Sequence, residues 1–266
     1  MLHFYQMLHF YPIFLISLLG ENSITEKIKA DFYVKRKSKL IENFNKKLEN
    51  IKSLFIEYFD EKSLTNLYDM IFKEFETLLP EIQYIGGNKN PYTSFLVGSA
   101  EMFAIIRIFQ NEGLSFQKIG QFIFEYYEII NQRREEVLKK AGQLHSEQIF
   151  TPDYMDFMKN FAKESQNKTY PGDWIFEFVD GTNEFNYGFN FTQCGICELS
   201  KKLDFERYTP FICLADFAEA TASGFGFTRT QTVSNGDPIC DHRYIKDVTT
   251  PRAWPPEKMQ EFKLKF

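Results

Sequence analysis

The chain is short of cysteine, has no long apolar run and carries no excess of positive charge. Each shortage removes a class of function. Four cysteines in 266 residues are too few for the disulfide framework of a small secreted domain, and a chain this long can bury a substantial core without one. The apolar stretch from Tyr11 to Leu19 is too short to cross a bilayer. It lacks the basic leader of a signal peptide, and Ser17-Leu18-Leu19-Gly20 is a poor cleavage site, so a buried first helix is expected there rather than a secretion or membrane segment. Net charge is −5, where a general nucleic-acid binder would show a basic face. The expected partner is therefore a small molecule, with no nucleic acid and no membrane, and the expected compartment is the reducing cytoplasm.

What is present divides into two textures. Residues 10 to about 145 read as helical. Leu40, Phe44, Leu48, Ile51, Leu54 and Phe55 recur at three- and four-residue steps, the mark of one buried helix face. Leu64 to Leu79 repeats the pattern until Pro80 stops it. Gly86 to Pro91 is a turn-rich break, read as a connecting loop because no Walker or dinucleotide pattern surrounds its glycines. Two further helices follow, from Phe95 to Glu112 and from Ser115 to about Leu144, and then a short one from Tyr154 to Glu164.

After the loop from Ser165 to Asp173 the period changes to two. Trp174–Val179 and Phe185–Phe191 read as a hairpin around Asp180-Gly181, where glycine supplies a position tolerant of positive φ. Cys194–Lys202 and Pro210–Ser223 read as helices, the second ended by Gly224. A last hairpin runs from Phe225 to Val233 and from Ile239 to Ile245. The fold class is therefore α+β: a helical N-terminal half, residues 1–164, followed by an antiparallel sheet of about four strands with two intervening helices, residues 165–266, the two forming one compact unit.

The polar content of the last hairpin breaks the strand pattern, and such breaks mark sites. With Val233 opposite Ile239, Gln231 faces Asp241 and Arg229 faces Arg243, while Thr230 meets His242 and Thr232 meets Cys240 on the other face. Two facing arginines repel unless an anion lies between them. The other reading is a solvent-facing side whose charges are met by Asp241 and Glu177. All four cysteines, Cys194, Cys197, Cys213 and Cys240, fall in this same region. Cys194-Gly195-Ile196-Cys197 is a single CxxC. The second pair of a structural zinc site is missing, and so is the parallel sheet of a thioredoxin. A cysteine-bound metal stays open, no cofactor is required, and Cys197 and Cys213 also read as small buried residues on helix faces.

Taken in order, Tyr187 to Cys197, Cys213-Leu214-Ala215-Asp216, Thr228 to Thr232, Gly236-Asp237 and Cys240-Asp241-His242-Arg243 resemble the L-2-amino-thiazoline-4-carboxylic acid hydrolase family. Tyr11–Leu15 and Gly86–Pro91 resemble its helical half. The sequence departs from the family pattern at His242, where Phe is expected, and at Asn235-Gly236, where two glycines are. The resemblance implies hydrolytic opening of a cyclic, sulfur-containing amidine to N-carbamoyl-L-cysteine, acting on non-peptide carbon–nitrogen or carbon–sulfur bonds. That chemistry needs a nucleophile, a proton carrier and a clamp for a carboxylate. For that chemistry the sequence supplies Cys240, Cys213 and Cys194 as thiols, with Cys240 or Cys213 expected to attack unless a water activated by a carboxylate or metal does so. It also supplies Asp216 and Asp241 as acid–base groups, Arg229 and Arg243 as clamps, and Thr230 and Gln231 to orient the exocyclic amine. A non-catalytic small-molecule, metal-binding or thiol-sensing module is the alternative from a different class.

Overall fold

The structure, a computed structural model, describes residues 31–259, 261 and 262. The helix expected at Tyr11–Leu19 and the motif at Tyr11–Leu15 lie outside the described residues. From Lys37 the chain is helical: α1 (Lys37–Asn50), α2 (Lys52–Tyr58), α3 (Leu64–Leu78), α4 (Thr93–Asn111), α5 (Phe116–Lys140), α6 (His145–Gln148) and α7 (Pro152–Ser165). The periodic apolar residues are the buried ones, among them Phe44, Leu48, Ile51, Leu54 and Phe55. The single helix read through Phe55 is broken at Ile51, whose ψ of 17° leaves the α region. Side-chain caps start two later helices. The Ser115 hydroxyl accepts from the Lys118 N–H, and that of Thr151 from Tyr154, with Pro152 pre-set for the first turn. Helix α4 is buried on almost every side, even at Ser99 and Glu101, which makes it the central strut.

The second half contains β1 (Ile175–Asp180), β2 (Tyr187–Gln193), α8 (Gly195–Lys202), α9 (Thr209–Ile212), α10 (Ala215–Ser223), β3 (Gly226–Thr228) and β4 (Cys240–Ile245). Its four strands form one antiparallel sheet in the order β1-β2-β4-β3. The α+β reading holds, with a helical half leading into an antiparallel sheet. One face carries Phe176, Tyr187, Phe189, Phe191, Cys240 and His242, all buried. Helix α7 covers this face at β1 and α10 covers it at β3. Tyr187 lies flat between Phe178 and Tyr244, 5.7 Å and 4.8 Å away, so a three-ring stack ties β1, β2 and β4 together. The opposite face carries Glu177, Asn190, Asp241 and Arg243, none of them buried, as expected of an antiparallel sheet wet on one side.

Three local readings are corrected. Gly181 does not adopt positive φ; its turn needs glycine because a Cβ there would strike the backbone carbonyl of Asn186. The helix read as Pro210–Ser223 is two, α9 and α10, separated at Cys213-Leu214. That break frees the Cys213 carbonyl, which accepts a hydrogen bond from Arg229 Nη2 at 2.8 Å.

The third correction concerns register. β3 ends at Thr228, which pairs with Arg243, one residue away from the expected pairing of Arg229 with Arg243. The Asp241 carboxylate takes the N–H groups of Thr230 and Gln231 at 2.8 and 2.7 Å and the Thr230 hydroxyl at 2.6 Å. This capture pulls the chain out of the ladder. Beyond it Thr232 does meet Cys240, with 3.4 Å between Oγ1 and Sγ. The slip therefore falls at Arg229-Thr230. It turns Arg229 inward and leaves Arg243 outside, because one residue of register moves a side chain to the other face.

Candidate active site

Arg229 is the hub of the inner face, with its side chain 1% exposed. A guanidinium has five N–H donors and no acceptor, and here every nitrogen is engaged. Nε and Nη2 grip the two carboxylate oxygens of Glu261 at 2.5 and 2.6 Å. Nη1 reaches Asp216 Oδ2 at 2.6 Å and His242 Nε2 at 3.2 Å, and the second Nη2 donor goes to the Cys213 carbonyl. Since arginine only donates, His242 Nε2 must accept, so this imidazole is neutral with its proton on Nδ1. Burial, with Arg229 and Arg243 nearby, drives its pKa well below the usual histidine value.

The thiols flank this hub. The Thr232 hydroxyl lies 3.9 Å from Cys213 Sγ and 3.4 Å from Cys240 Sγ, and Cys213 Sγ meets Ser234 Oγ at 3.3 Å. Val233 N–H donates to Cys240 Sγ at 3.2 Å. Burial nevertheless dominates at both, raising Cys213 and pushing Cys240 up to about 11. Cys194 differs because β2 delivers it to the N-cap of α8. A hydrogen bond from the Cys197 thiol lowers it most; burial opposes, and the N–H groups of Cys197 and Ile196 reinforce the lowering. Cys197 is raised by the same contact. A thiol at a helix N-terminus, within a CxxC, is the one prepared to ionise. Gly195 permits the turn, since a Cβ there would lie 2.6 Å from the Trp174 ring.

Two carboxylates line the site one helical turn apart on α10. Burial raises Asp216 to about 6, against the pull of Arg229 and with a further push from Glu219. Burial would raise Glu219 too, but the hydrogen bond from His145 and the charge of Arg134 outweigh it and bring it down to about 2. Arg134 Nη1 lies 2.7 Å from Glu219 Oε1 and His145 Nε2 3.2 Å. Neighbouring acids with pKa values driven apart are a mark of acid–base machinery. Both keep accessible surface, 36% for Asp216 and 30% for Glu219, so water can reach them. Tyr92, Tyr127 and Tyr244 lie within the field of Asp216 and are kept protonated by burial. Tyr92 is placed by the Gly86–Pro91 loop: Asn90 accepts from its N–H at 2.9 Å and donates to Asp173 at 2.6 Å.

The structure brings Cys194, Cys213, Asp216, Arg229 and Cys240 to this face. It sends Asp241, Thr230 and Arg243 elsewhere. Asp241 is spent on the 230–231 backbone and on Thr230, which is exposed. Arg243 lies across Gly188, donating to Asn190 Oδ1 at 2.9 Å over the Phe185 ring. No anion can bridge Arg229 and Arg243 across opposite faces. Gln231 binds Asp241 through its N–H. Among the described residues no group of three or more His, Cys, Asp or Glu could hold a metal ion. Sequence reasoning missed Glu219, which carried a signal in its three-residue spacing from Asp216, and Glu261, which carried none. Both departures from the family pattern touch the hub, for His242 accepts from Arg229 and the Asn235 amide donates to the Glu261 carbonyl.

Fold and site together define an α+β protein with a partly buried thiol–carboxylate centre. Residues 97–244, more than half of the chain, match the model of the L-2-amino-thiazoline-4-carboxylic acid hydrolase family. The protein belongs to that family. No curated protein and no solved structure matches it. Among the described residues no helix is long and apolar enough to cross a membrane.

Proposed function

We propose that the protein opens a five-membered cyclic amidine of the 2-amino-thiazoline-4-carboxylate kind, releasing an N-carbamoyl cysteine. The observation that carries this reading is Cys194. It is the one thiol of the site with a depressed pKa, and it lies within the electrostatic reach of Asp216, whose carboxyl burial raises to about 6. The Cys194 thiolate attacks the ring carbon between sulfur and nitrogen. The ring carbon–sulfur bond breaks, and the departing sulfur takes the proton of Asp216. Water then adds to the same carbon, giving one proton to the Asp216 carboxylate and one to the ring-derived nitrogen. The carbon–Sγ bond breaks, a carbonyl forms, and thiolate and protonated Asp216 are restored. Arg229, fully engaged, acts in this scheme by holding Asp216 rather than by clamping substrate. The protonated hydroxyls of Tyr92, Tyr127 and Tyr244 supply donors for the substrate carboxylate.

Cys194→Ser is the test, assayed for ring opening of aminothiazoline carboxylate. Turnover should vanish with the thermal melt unchanged, while Cys213→Ser and Cys240→Ser retain activity. Full activity in Cys194→Ser would remove the thiol route and leave water activated by Asp216. The Cys194–Cys197 contact also favours a second reading, a thiol sensor without turnover. Absence of any ring opening by the wild-type protein, together with ready formation of a Cys194–Cys197 disulfide, would select it.

A further inference from the structure

One partner of the hub has no role in the scheme above. Glu261 comes from the C-terminal tail, beyond the family-matched span, and its side chain is 2% exposed. Its backbone is pinned by the Asn235 amide, and the next residue, Phe262, packs its ring against Phe211 at 5.3 Å. It takes the two-pronged edge of Arg229, the geometry in which a guanidinium binds carboxylate most strongly. Asp216 is left with a single donor, Nη1, at 2.6 Å.

We propose that Glu261 is a positioning residue: by occupying the Nε–Nη2 edge of Arg229, it keeps Asp216 free to take up and release a proton. One guanidinium cannot neutralise two carboxylates, so one of them must hold the proton when the site is driven towards neutrality. Glu261 is gripped by two hydrogen bonds and its side chain is 2% exposed. Asp216 has one such bond and its side chain is 36% exposed, so the exchangeable proton belongs to Asp216. The other groups around Asp216 leave this sharing intact. Glu219 on its own helix adds negative charge, while His242 and Tyr244 on β4, Tyr92 before α4 and Tyr127 on α5 are neutral. Cys194 at the start of α8 and Cys213 before α10 complete the ring.

The inference rests on Asp216 as the proton carrier of the proposed reaction, so its test reads Asp216 without turnover. The Asp216 side-chain carboxyl carbon is followed by NMR from acid to alkaline pH in the full-length protein and in Glu261→Gln, with Asp216→Asn to assign the signal. The wild-type midpoint should lie near 6. In Glu261→Gln the guanidinium serves Asp216 alone, and the midpoint should fall by about one pH unit or more. The acid limb of kcat/KM for aminothiazoline carboxylate should move with it. An unmoved midpoint in folded Glu261→Gln overturns the proposal. Should that variant not fold, Glu261→Asp keeps the charge but shortens the fork; a lowered midpoint there supports the proposal and an unchanged one overturns it. A moved midpoint with an unmoved rate profile would support control of Asp216 by Glu261 and count against Asp216 as the carrier in the proposed reaction.

Discussion

Replacing Arg229 by methionine tests the hub most directly. The substitution keeps much of the side-chain volume but removes the cation that, among the described residues, binds both Glu261 and Asp216. Glu261, 2% exposed, is left buried without a counter-charge, and the Cys213 carbonyl loses its side-chain donor. Breaking a buried pair by deleting one partner costs about 3–5 kcal/mol. In a chain of this size that lowers the melting midpoint by roughly 10 °C. Arg229→Lys retains the charge, but one ammonium cannot span both the Glu261 edge and Asp216, so about half of that loss is expected. The double variant Arg229→Met/Glu261→Leu removes both charges and should recover most of the stability. Circular-dichroism melts of the three variants at neutral pH supply the measurement. A midpoint for Arg229→Met within about 2 °C of the wild type would refute the assignment of a stabilising role to this fork.

Two further outcomes follow from the site. Gly195→Ala places a methyl 2.6 Å from the Trp174 ring and 2.8 Å from the Gly172 carbonyl. It should cost about 1–3 kcal/mol and slow alkylation of Cys194 by iodoacetamide, because the helix start that polarises this thiol must shift. The two carboxylates of α10 should act oppositely on stability. Glu219 is lowered from 4.5 to about 2, so its stabilisation is complete above about pH 4.5 and is lost as pH falls towards 2. Asp216 is raised from 3.8 to about 6, so its contribution is complete below about pH 3.8 and is lost as pH rises through 6. Urea unfolding against pH should therefore flatten on the acid side in Glu219→Gln and between pH 4 and 6 in Asp216→Asn. An unchanged profile in either variant would contradict the corresponding assignment.

Much of the scaffold is legible in the sequence because its causes are local. Phe44 and Leu48 lie on one helix face because their spacing matches the helical repeat, and Phe189 and Phe191 share a sheet face because theirs matches a strand. Pro80, Gly113 and Gly224 punctuate the helices through their own backbone geometry. The motif region around Cys194, Asp216 and Arg229 was legible too, because polar residues on strand patterns carry a local cost.

The partnerships within that region were decided only in three dimensions. A single slipped residue, set by the Asp241 carboxylate seizing the Thr230 and Gln231 N–H groups, turned Arg229 from a surface clamp into a buried hub. Which thiol is prepared to ionise depends on burial, which raises Cys240, and on the hydrogen bond from the Cys197 thiol, reinforced by the helix-start N–H groups, which lowers Cys194. The CxxC spacing carries that contact along the chain, but the burial it must outweigh is set by the fold. Glu261 joins Arg229 across thirty-two positions of sequence. The pattern around each residue held no sign of the other, because a charge finds its partner through the folded path and not through its neighbours in the chain.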